Sequence, residues 1–335
     1  MKYIDKKLSK KTILITGGAG FIGSNLAFYF QNNHPKAKVV VLDKFRNEER
    51  FSNQNLKSFG HFKNLIGFKG EVISGDINDK DLLKKLKKDY KFDYIFHQAA
   101  ISDTTVKEQD LMIKTNVNAY KELLELAIAH NADMIYASSA ATYGNSKVFK
   151  IGYENPNNVY GFSKLMMDNI SFEYIKQKPK IKIVGLRYFN VYGPREFYKN
   201  KTASTVVQFG LQLLKGEKIK LFEGSDKIKR DFIFVEDVIQ ANIKAITAKK
   251  SGVYNVGTGI ARSFQDIADI LQKELNIKRD YKYIKNPFEK QYQFFTQADI
   301  EDTKKYLDYS PNYSLEQGIK EYIPEIKRIF KEEIL

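Results

Sequence analysis

Between residue 11 and about residue 187, short apolar runs alternate with longer stretches of helical periodicity. The runs at 11–16 (Lys-Thr-Ile-Leu-Ile-Thr), 39–42 (Val-Val-Val-Leu), 70–74, 92–98, 134–138 and 182–186 have the length and apolar content of buried strands. Segment 24–31 sets Leu26, Ala27 and Phe30 at helical spacing, and the longest helical stretch spans about 105–130. Regular alternation of strand and helix predicts an α/β fold with a doubly wound parallel sheet. After Leu186 the pattern breaks: residues 187–195 pack aromatics, a turn and two arginines together. A helix then starts near Ala203, followed by a loop at 222–225 and the run Arg230-Asp231-Phe232-Ile233. Helix 235–248 and strand 252–257 read as a return to the first unit. The division predicted is therefore 1–188 plus 233–261 for the sheet domain. Residues 189–232 plus 262–335 form a smaller lobe over the sheet's carboxyl edge.

Composition narrows the function classes. The chain has 335 residues, 43% of them hydrophobic, which is enough for one large domain and a lobe. No apolar run approaches the ~18 residues of a membrane span, and the polar start 1–10 lacks a signal-peptide core. There is no cysteine, so disulfides and thiolate metal sites are excluded, and a reducing cytoplasm is the expected location. His34, His61, His97 and His130 are scattered, and no metal is expected. The net charge of +15 comes mostly from lysines spread along the chain rather than clustered, so nucleic acid is not an expected partner. Anionic small molecules are.

The chemistry sits at the ends of the predicted strands. Strand 11–16 runs directly into Gly17-Gly18-Ala19-Gly20-Phe21-Ile22-Gly23 and then into helix. A tight turn, a close approach of backbone to pyrophosphate and close helix packing each call for glycine there, and the helix N-terminus faces the phosphates. Asp43 ends the second strand some twenty residues after Gly23, where an acid meets the adenosine ribose. This makes the sheet a Rossmann-type dinucleotide domain. Lys44, Arg46 and Arg50 follow the acid and favour NADP, through its 2′-phosphate, over NAD. Asp76-Ile77 and Gln98-Ala99-Ala100 fall at carboxyl ends of later strands, where cofactor binds. His97, beside them, reads as a structural hydrogen-bonder. Tyr160 and Lys164 lie one helical turn apart, about twenty residues after Ser138-Ser139. The spacing stacks both on one helix face, where a cation lowers the phenol's pKa and lets it shuttle a proton. The pair is weak alone; the nicotinamide site preceding it gives it meaning.

At these residues the chain resembles the extended short-chain dehydrogenase/reductase family over nearly its whole length, and within it the subfamily of ADP-heptose 6-epimerases. The resemblance rests on 16–26, Tyr-Ala-Ser-Ser-Ala-Ala-Thr-Tyr-Gly at 136–144, 158–164, 187–196, Phe-Glu-Gly-Ser at 222–225, 229–232 and Phe-Thr-Gln-Ala-Asp at 295–299. It implies an NADP-dependent isomerase acting on a nucleotide-sugar, with heptose destined for lipopolysaccharide core. It further implies a homo-oligomer, a pentamer being the number suggested. Cofactor would be lined by Gly17, Gly20, Phe21, Ile22, Gly23, Asp43, Lys44, Arg50, Asp76, Ile77, Gln98, Ala99, Ala100, Ile101, Ser102, Asn116, Lys164, Val191 and Lys199. Ser139, Asn190, Lys201, Gln208, Phe222, Glu223, Gly224, Ser225, Arg230 and Tyr292 would hold the ADP-sugar. Gln208 stands where the family motif has histidine, and Lys201 where it has serine. Catalysis would fall to Tyr160, Lys164, Ser139 and Lys199, with Lys201 the alternative to Lys199 as second base. Residues 1–10 have no counterpart in shorter members and read as a surface extension. A 4,6-dehydratase is disfavoured because Ala140 and Ala141, which cannot transfer protons, follow Ser139 where dehydratases carry an acid pair. A UDP-hexose 4-epimerase and a non-enzymatic nucleotide-sensing or RNA-binding relative are the remaining alternatives. The complete Ser/Tyr/Lys set argues against the second of these.

Overall fold

The computed structural model describes residues 2–278, 280–285 and 294–335. Strands β1 (Thr12–Thr16), β2 (Lys38–Asp43), β3 (Glu71–Ser74), β4 (Tyr94–His97), β5 (Asp133–Ser139), β6 (Ile183–Tyr188) and a late strand, Gly252–Val256, form a seven-stranded sheet. Counting β7 (Asn190–Tyr192), β8 (Lys220–Phe222) and β9 (Lys229–Phe234) in between, the late strand is β10, and the sheet order is β10-β6-β5-β4-β1-β2-β3. All its pairings are parallel. Order reverses between β1 and β4, which opens a crevice beyond their carboxyl ends.

Side chains along each strand alternate between two cores, as a pleated strand requires. Ile13, Ile15, Val39 and Val41 face a cluster with Leu26 and Phe30 of α1 (Phe21–Asn33), whereas Leu14, Val40 and Leu42 face the opposite side. That opposite core is closed by α2 (Lys80–Asp89), α4 (Ala119–His130) and α5 (Val159–Lys176), with Leu86, Tyr120, Leu123 and Met167 in it, while α3 (Gln109–Met112) places Met112 in a small third cluster with Phe51, Ile101 and Val106. The long helix anticipated from 105 starts later, at Gln109, and passes through a π turn at Ile113–Asn118. The delay has a local cause. Asp103 accepts from the backbone and hydroxyl of Thr105 at 2.8 and 2.7 Å and from Asn53 and Asn55 at 2.9 and 2.7 Å. Such side-chain bonds compete with helix.

The second lobe comprises α6 (Thr205–Leu214), α8 (Phe264–Leu275) and α10 (Leu315–Ile329), which pack together, with α7 (Val235–Ala245) and α9 (Glu301–Leu307) returning to the sheet. Two small sheets complete it. One is β11 (Ala261–Ser263)-β9-β7, and the other pairs β12 (Lys282–Ile284) with β8. The amino-terminal segment does not hang from the surface. Ile4 and Leu8 are buried, Tyr3 stacks on Tyr29 at 5.4 Å, and its hydroxyl donates to Glu236 at 3.3 Å, so the segment packs across α1 and α7.

Candidate active site

The three outer glycines of the turn have separable physical roles. Gly17 sits at φ +69°, a conformation L residues rarely adopt, and a Cβ there would lie 2.7 Å from the Ala99 nitrogen. Gly23 packs the first turn of α1 onto the strand end so closely that a Cβ would lie 2.2 Å from the Gly17 carbonyl. Gly20 caps α1 with extended backbone and meets nothing nearer than 3.2 Å, leaving its outer side free for a ligand. The first N–H groups of the helix have no intrahelical partner and face the crevice as anion donors. Asp43 closes the turn from behind: its Oδ2 accepts from Ala19 N at 2.8 Å. Burial pushes its carboxyl up to about 6, against the backbone N–H groups of Ala19, Phe45, Gly20 and Lys44.

A cleft of about 370 Å³ runs from this turn. Of the residues expected to line cofactor, Gly17, Gly20, Phe21, Ile22, Gly23, Asp43, Lys44, Asp76, Ile77, Gln98, Ala99, Ala100, Ile101, Ser102, Lys164, Val191 and Lys199 form its wall. Two do not. Arg50 is exposed and its guanidinium is held by Glu48 and the Gln54 carbonyl, at 3.1 and 2.9 Å. Asn116 is fully buried and acts as a brace. It exchanges hydrogen bonds with the backbone of Ile101 at 2.8 and 3.0 Å and donates to Ser163 at 3.0 Å. Arg46 also turns to other work, donating to the Tyr198 carbonyl. The wall also includes Lys57 and Ser58, which the sequence left unmarked because the loop around them carries no periodicity. Lys44 sits 3.1 Å from Asp76.

Ser139, Tyr160 and Lys164 line the same cleft. Ser139 lies beside the Tyr160 hydroxyl and draws its pKa down, yet burial, the larger effect, raises the phenol above its ordinary value. The expected lowering by Lys164 is not realised. Its Nζ lies 5.9 Å from the Tyr160 ring centre and donates to the Ala137 carbonyl at 2.8 Å. Burial brings the Lys164 ammonium down to about 8, with Asp168 opposing. Lys199 enters from the short helical turn Phe197–Thr202 and lies 5.8 Å from the Phe21 ring. Burial lowers its pKa, against the carboxylates of Glu196 and Asp103. His97 bonds Thr16 at 2.7 Å and is held near 3 by burial and the Lys164 charge, so it stays neutral. Its role is structural.

The sequence pattern of the NAD dependent epimerase/dehydratase family matches residues 13–257. The chain belongs to that family. Among solved structures, it is similar to the ADP-L-glycero-D-manno-heptose-6-epimerase of Helicobacter pylori. That match has 56% identity, 98% of this chain and 99% of that one covered, and a TM-score of 0.90. It is more distantly similar to the UDP-glucose 4-epimerase of Thermotoga maritima, solved with UDP-glucose (27%, 95% and 99% covered, TM-score 0.83). The UDP-glucuronic acid 4-epimerase of Bacillus cereus, solved with UDP-glucuronic acid and NAD, stands at 28%, 95% and 99% covered, TM-score 0.79.

In this epimerase/dehydratase-family chain, the described residues expected to hold a nucleotide-sugar sit on the second lobe, apart from Ser139. Asn190 is exposed on β7, Phe222 ends β8, and Glu223, Gly224 and Ser225 lie in the turn that follows. Arg230 is buried on β9 and donates to the Lys229 carbonyl at 3.1 Å. Its neighbour Asp231 commits its carboxylate to Thr258, Gly259 and Ala298. The Gln208 amide donates to the Ala203 carbonyl at 2.6 Å, and Lys201 is exposed and outside the cleft wall. Tyr292 lies outside the described residues. Unforeseen was a buried network behind the site: Arg187 bonds Asp168 at 2.8 Å and Glu154 at 2.6 Å, while Tyr136 and Ser138 donate to Asp168 at 2.8 and 2.9 Å. Arg187, Ser138 and Tyr136 fall in runs singled out in the sequence, but their meeting at Asp168 depends on the β5–β6 pairing and on α5 packing against it.

Proposed function

We propose that the chain converts ADP-D-glycero-D-manno-heptose to ADP-L-glycero-D-manno-heptose by inverting C-6″, with NADP in the glycine-turn cleft. The observation that carries this reading is that Tyr160 of α5 and Lys199 of a separate turn open into one cleft. Similarity to the Helicobacter pylori enzyme, whose name states the heptose, selects the sugar. The positive-φ turn at Gly17, the open side of Gly20 and the free helix N-terminus fit a dinucleotide pyrophosphate. Lys44 and Lys57 at the adenosine end support NADP over NAD. When bound, the nicotinamide supplies the hydride acceptor and donor.

The chain's own residues then manage the proton. Inversion of a carbinol through its ketone requires that the opposite face be presented for hydride return, and rotation about C5–C6 allows this. The oxygen moves in that rotation, and one group cannot reach both positions, because proton transfer needs ~3 Å contact. Tyr160, with Ser139 holding the oxygen, serves one position and Lys199 the other. Their environments suit opposed roles. Burial favours the protonated phenol of Tyr160 and the neutral amine of Lys199. One is an acid when the other is a base, and the pair exchanges roles in the reverse direction. Lys201, exposed and outside the cleft, is the weaker candidate.

The remaining reading follows the same resemblance. The enzyme is cytoplasmic, homo-oligomeric and supplies heptose for lipopolysaccharide. Among the described residues, no helix is long and apolar enough to cross a membrane. Chromatographic separation of the two ADP-heptose epimers after incubation with each variant tests the assignment. Tyr160→Phe and Lys199→Met should each slow conversion roughly 10²–10⁴-fold. Normal turnover in Lys199→Met with loss in Lys201→Met would move the second base by two residues.

A further inference from the structure

The turn that carries Lys199 does not hold itself. Asn200 sits at φ 53°, outside helical backbone, so the Phe197–Thr202 turn is kinked at the residue after the lysine. The residue before it is where neighbouring elements take hold. The Tyr198 ring stacks on the His61 imidazole, with centroids 3.8 Å apart and planes within 9°. The Arg46 guanidinium donates to the Tyr198 carbonyl and lies 5.7 Å from the ring. The Tyr198 hydroxyl donates to Glu333 at 2.8 Å, in the last turn of the chain, and Lys63 bonds the same carboxylate at 2.7 Å. These partners are anchored in turn to the cofactor side. His61 N and Asn64 Nδ2 both donate to the Ala19 carbonyl at 3.1 Å, and Arg46 N donates to Gly60 O at 2.9 Å. Gly60 itself abuts the Asp43 carboxylate.

We propose that Tyr198, gripped by His61, Arg46 and Glu333, is a positioning residue that sets Lys199 in the cleft and ties its placement to the glycine turn. This rests on the reading of Lys199 as the second proton-transfer group. A lysine side chain is long and flexible, so its reach is fixed by where its backbone is held and by what surrounds the stem. On the other flank the grip is provided by Glu196. It is fully buried and accepts from Gly193 N at 3.1 Å and from the Ser204 backbone and hydroxyl at 2.7 Å each. Glu196 and Asp103 are the charged groups that face the Lys199 ammonium, and the Phe21 ring lies beside it. Release of Tyr198 would let the turn swing outward and hydrate the ammonium.

The test uses the NADP-loaded full chain and two readouts. One is epimerisation kinetics. The other is peptide-resolved reductive methylation of Lys199 and Lys201 as a function of pH, which reports each amine's own titration. Tyr198→Leu should lower kcat about 10–10²-fold, with KM and NADP affinity within about twofold of wild type. The Lys199 methylation profile should move to higher pH, toward that of a solvent-exposed lysine. Tyr198→Phe, which keeps the stack on His61, should restore most of both. Glu333→Gln should give a smaller change in the same direction and serves if Tyr198→Leu does not fold. Glu332→Gln, on the same turn but bonded to Arg328 at 2.6 Å, should change nothing. Wild-type kcat and an unmoved Lys199 profile in Tyr198→Leu and Glu333→Gln, with Lys199→Met inactive, would overturn the clamp alone. Normal epimerisation by Lys199→Met would overturn the base assignment instead, and the methylation profiles would still decide the clamp.

Discussion

Deleting the Asp168 carboxylate while Arg187 stays in place should be among the costliest single changes in the sheet domain. Both side chains are fully buried. Asp168 accepts three hydrogen bonds, from Tyr136, Ser138 and Arg187, all within 2.9 Å. In Asp168→Ala the Arg187 guanidinium would keep only Glu154 at 2.6 Å and the face of Tyr143 at 5.0 Å, and two hydroxyls would lose their acceptor. Breaking a buried pair from one side costs about 3–5 kcal/mol, since the remaining charge is left in low dielectric. With an unfolding entropy of about 2 cal/mol/K per residue, a chain of this length loses about 0.7 kcal/mol per degree near its midpoint, so Tm should fall by roughly 4–7 °C. There is a functional echo. Asp168 lies one helical turn beyond Lys164 and its charge raises that pKa, so the Lys164 ammonium should drop below its present value of about 8 and the acid-side plateau of activity should shrink. Calorimetry and urea unfolding check the first part, and a pH–rate profile checks the second. Asp168→Leu with Arg187→Met, which removes both charges, should recover much of the stability. A loss below about 1 kcal/mol in Asp168→Ala, with the double variant less stable than the single, would refute the reasoning.

Asp43 predicts a pH signature of the opposite kind. Its folded pKa of about 6 lies above the ordinary carboxylate value, so between the two the folded state keeps a proton that the unfolded state has lost. Its contribution to stability is therefore present at low pH and lost as pH rises through that window; Asp43→Asn should lack this loss, read as urea midpoints from about pH 4 to 7. Parallel wild-type and variant curves would contradict it. Gly23→Ala places a Cβ 2.2 Å from the Gly17 carbonyl and should cost about 1–3 kcal/mol and weaken NADP binding in a fluorescence titration, since the turn backbone must move. Arg230→Lys should raise KM for the ADP-sugar about tenfold or more, through loss of bidentate phosphate contact, with NADP affinity unchanged in the same titration.

Features held by short-range patterning were legible in the chain. The glycine turn, Asp43 at the end of β2 and the Tyr160–Lys164 spacing each follow from one strand or one helix, and all of them line one cleft. Legibility failed where a side chain's partner is supplied by distant chain. Arg187 of β6 meets Asp168 only where α5 packs on the sheet, and Glu154 only through the loop before that helix, and no local pattern announces either contact. Arg50 was placed on the cofactor from its charge soon after Asp43, and Asn116 with the residues that the resemblance implies. The loop after β2 follows its own bridge between Arg50 and Leu56, and Asn116 points inward from a π turn that periodicity does not reveal. The Tyr160 phenol moved against expectation for an energetic reason. The Lys164 ammonium is directed to a backbone carbonyl, and desolvation of the phenol outweighs the opposing influence of Ser139.

In the proposed reaction C-6″ is inverted by hydride leaving and returning within one cleft, with Tyr160 and Lys199 moving only the hydroxyl proton. The most direct measurement is NMR of ADP-D-glycero-D-manno-heptose incubated in deuterium oxide with the NADP-loaded enzyme and no other redox partner. A hydride held between substrate and nicotinamide does not exchange with solvent, whereas a proton taken from carbon by a side chain does. The expected result is conversion to the L-glycero epimer with protium retained at C-6″. Deuterium at C-6″ in the product, or no conversion by folded, NADP-loaded protein, would contradict it.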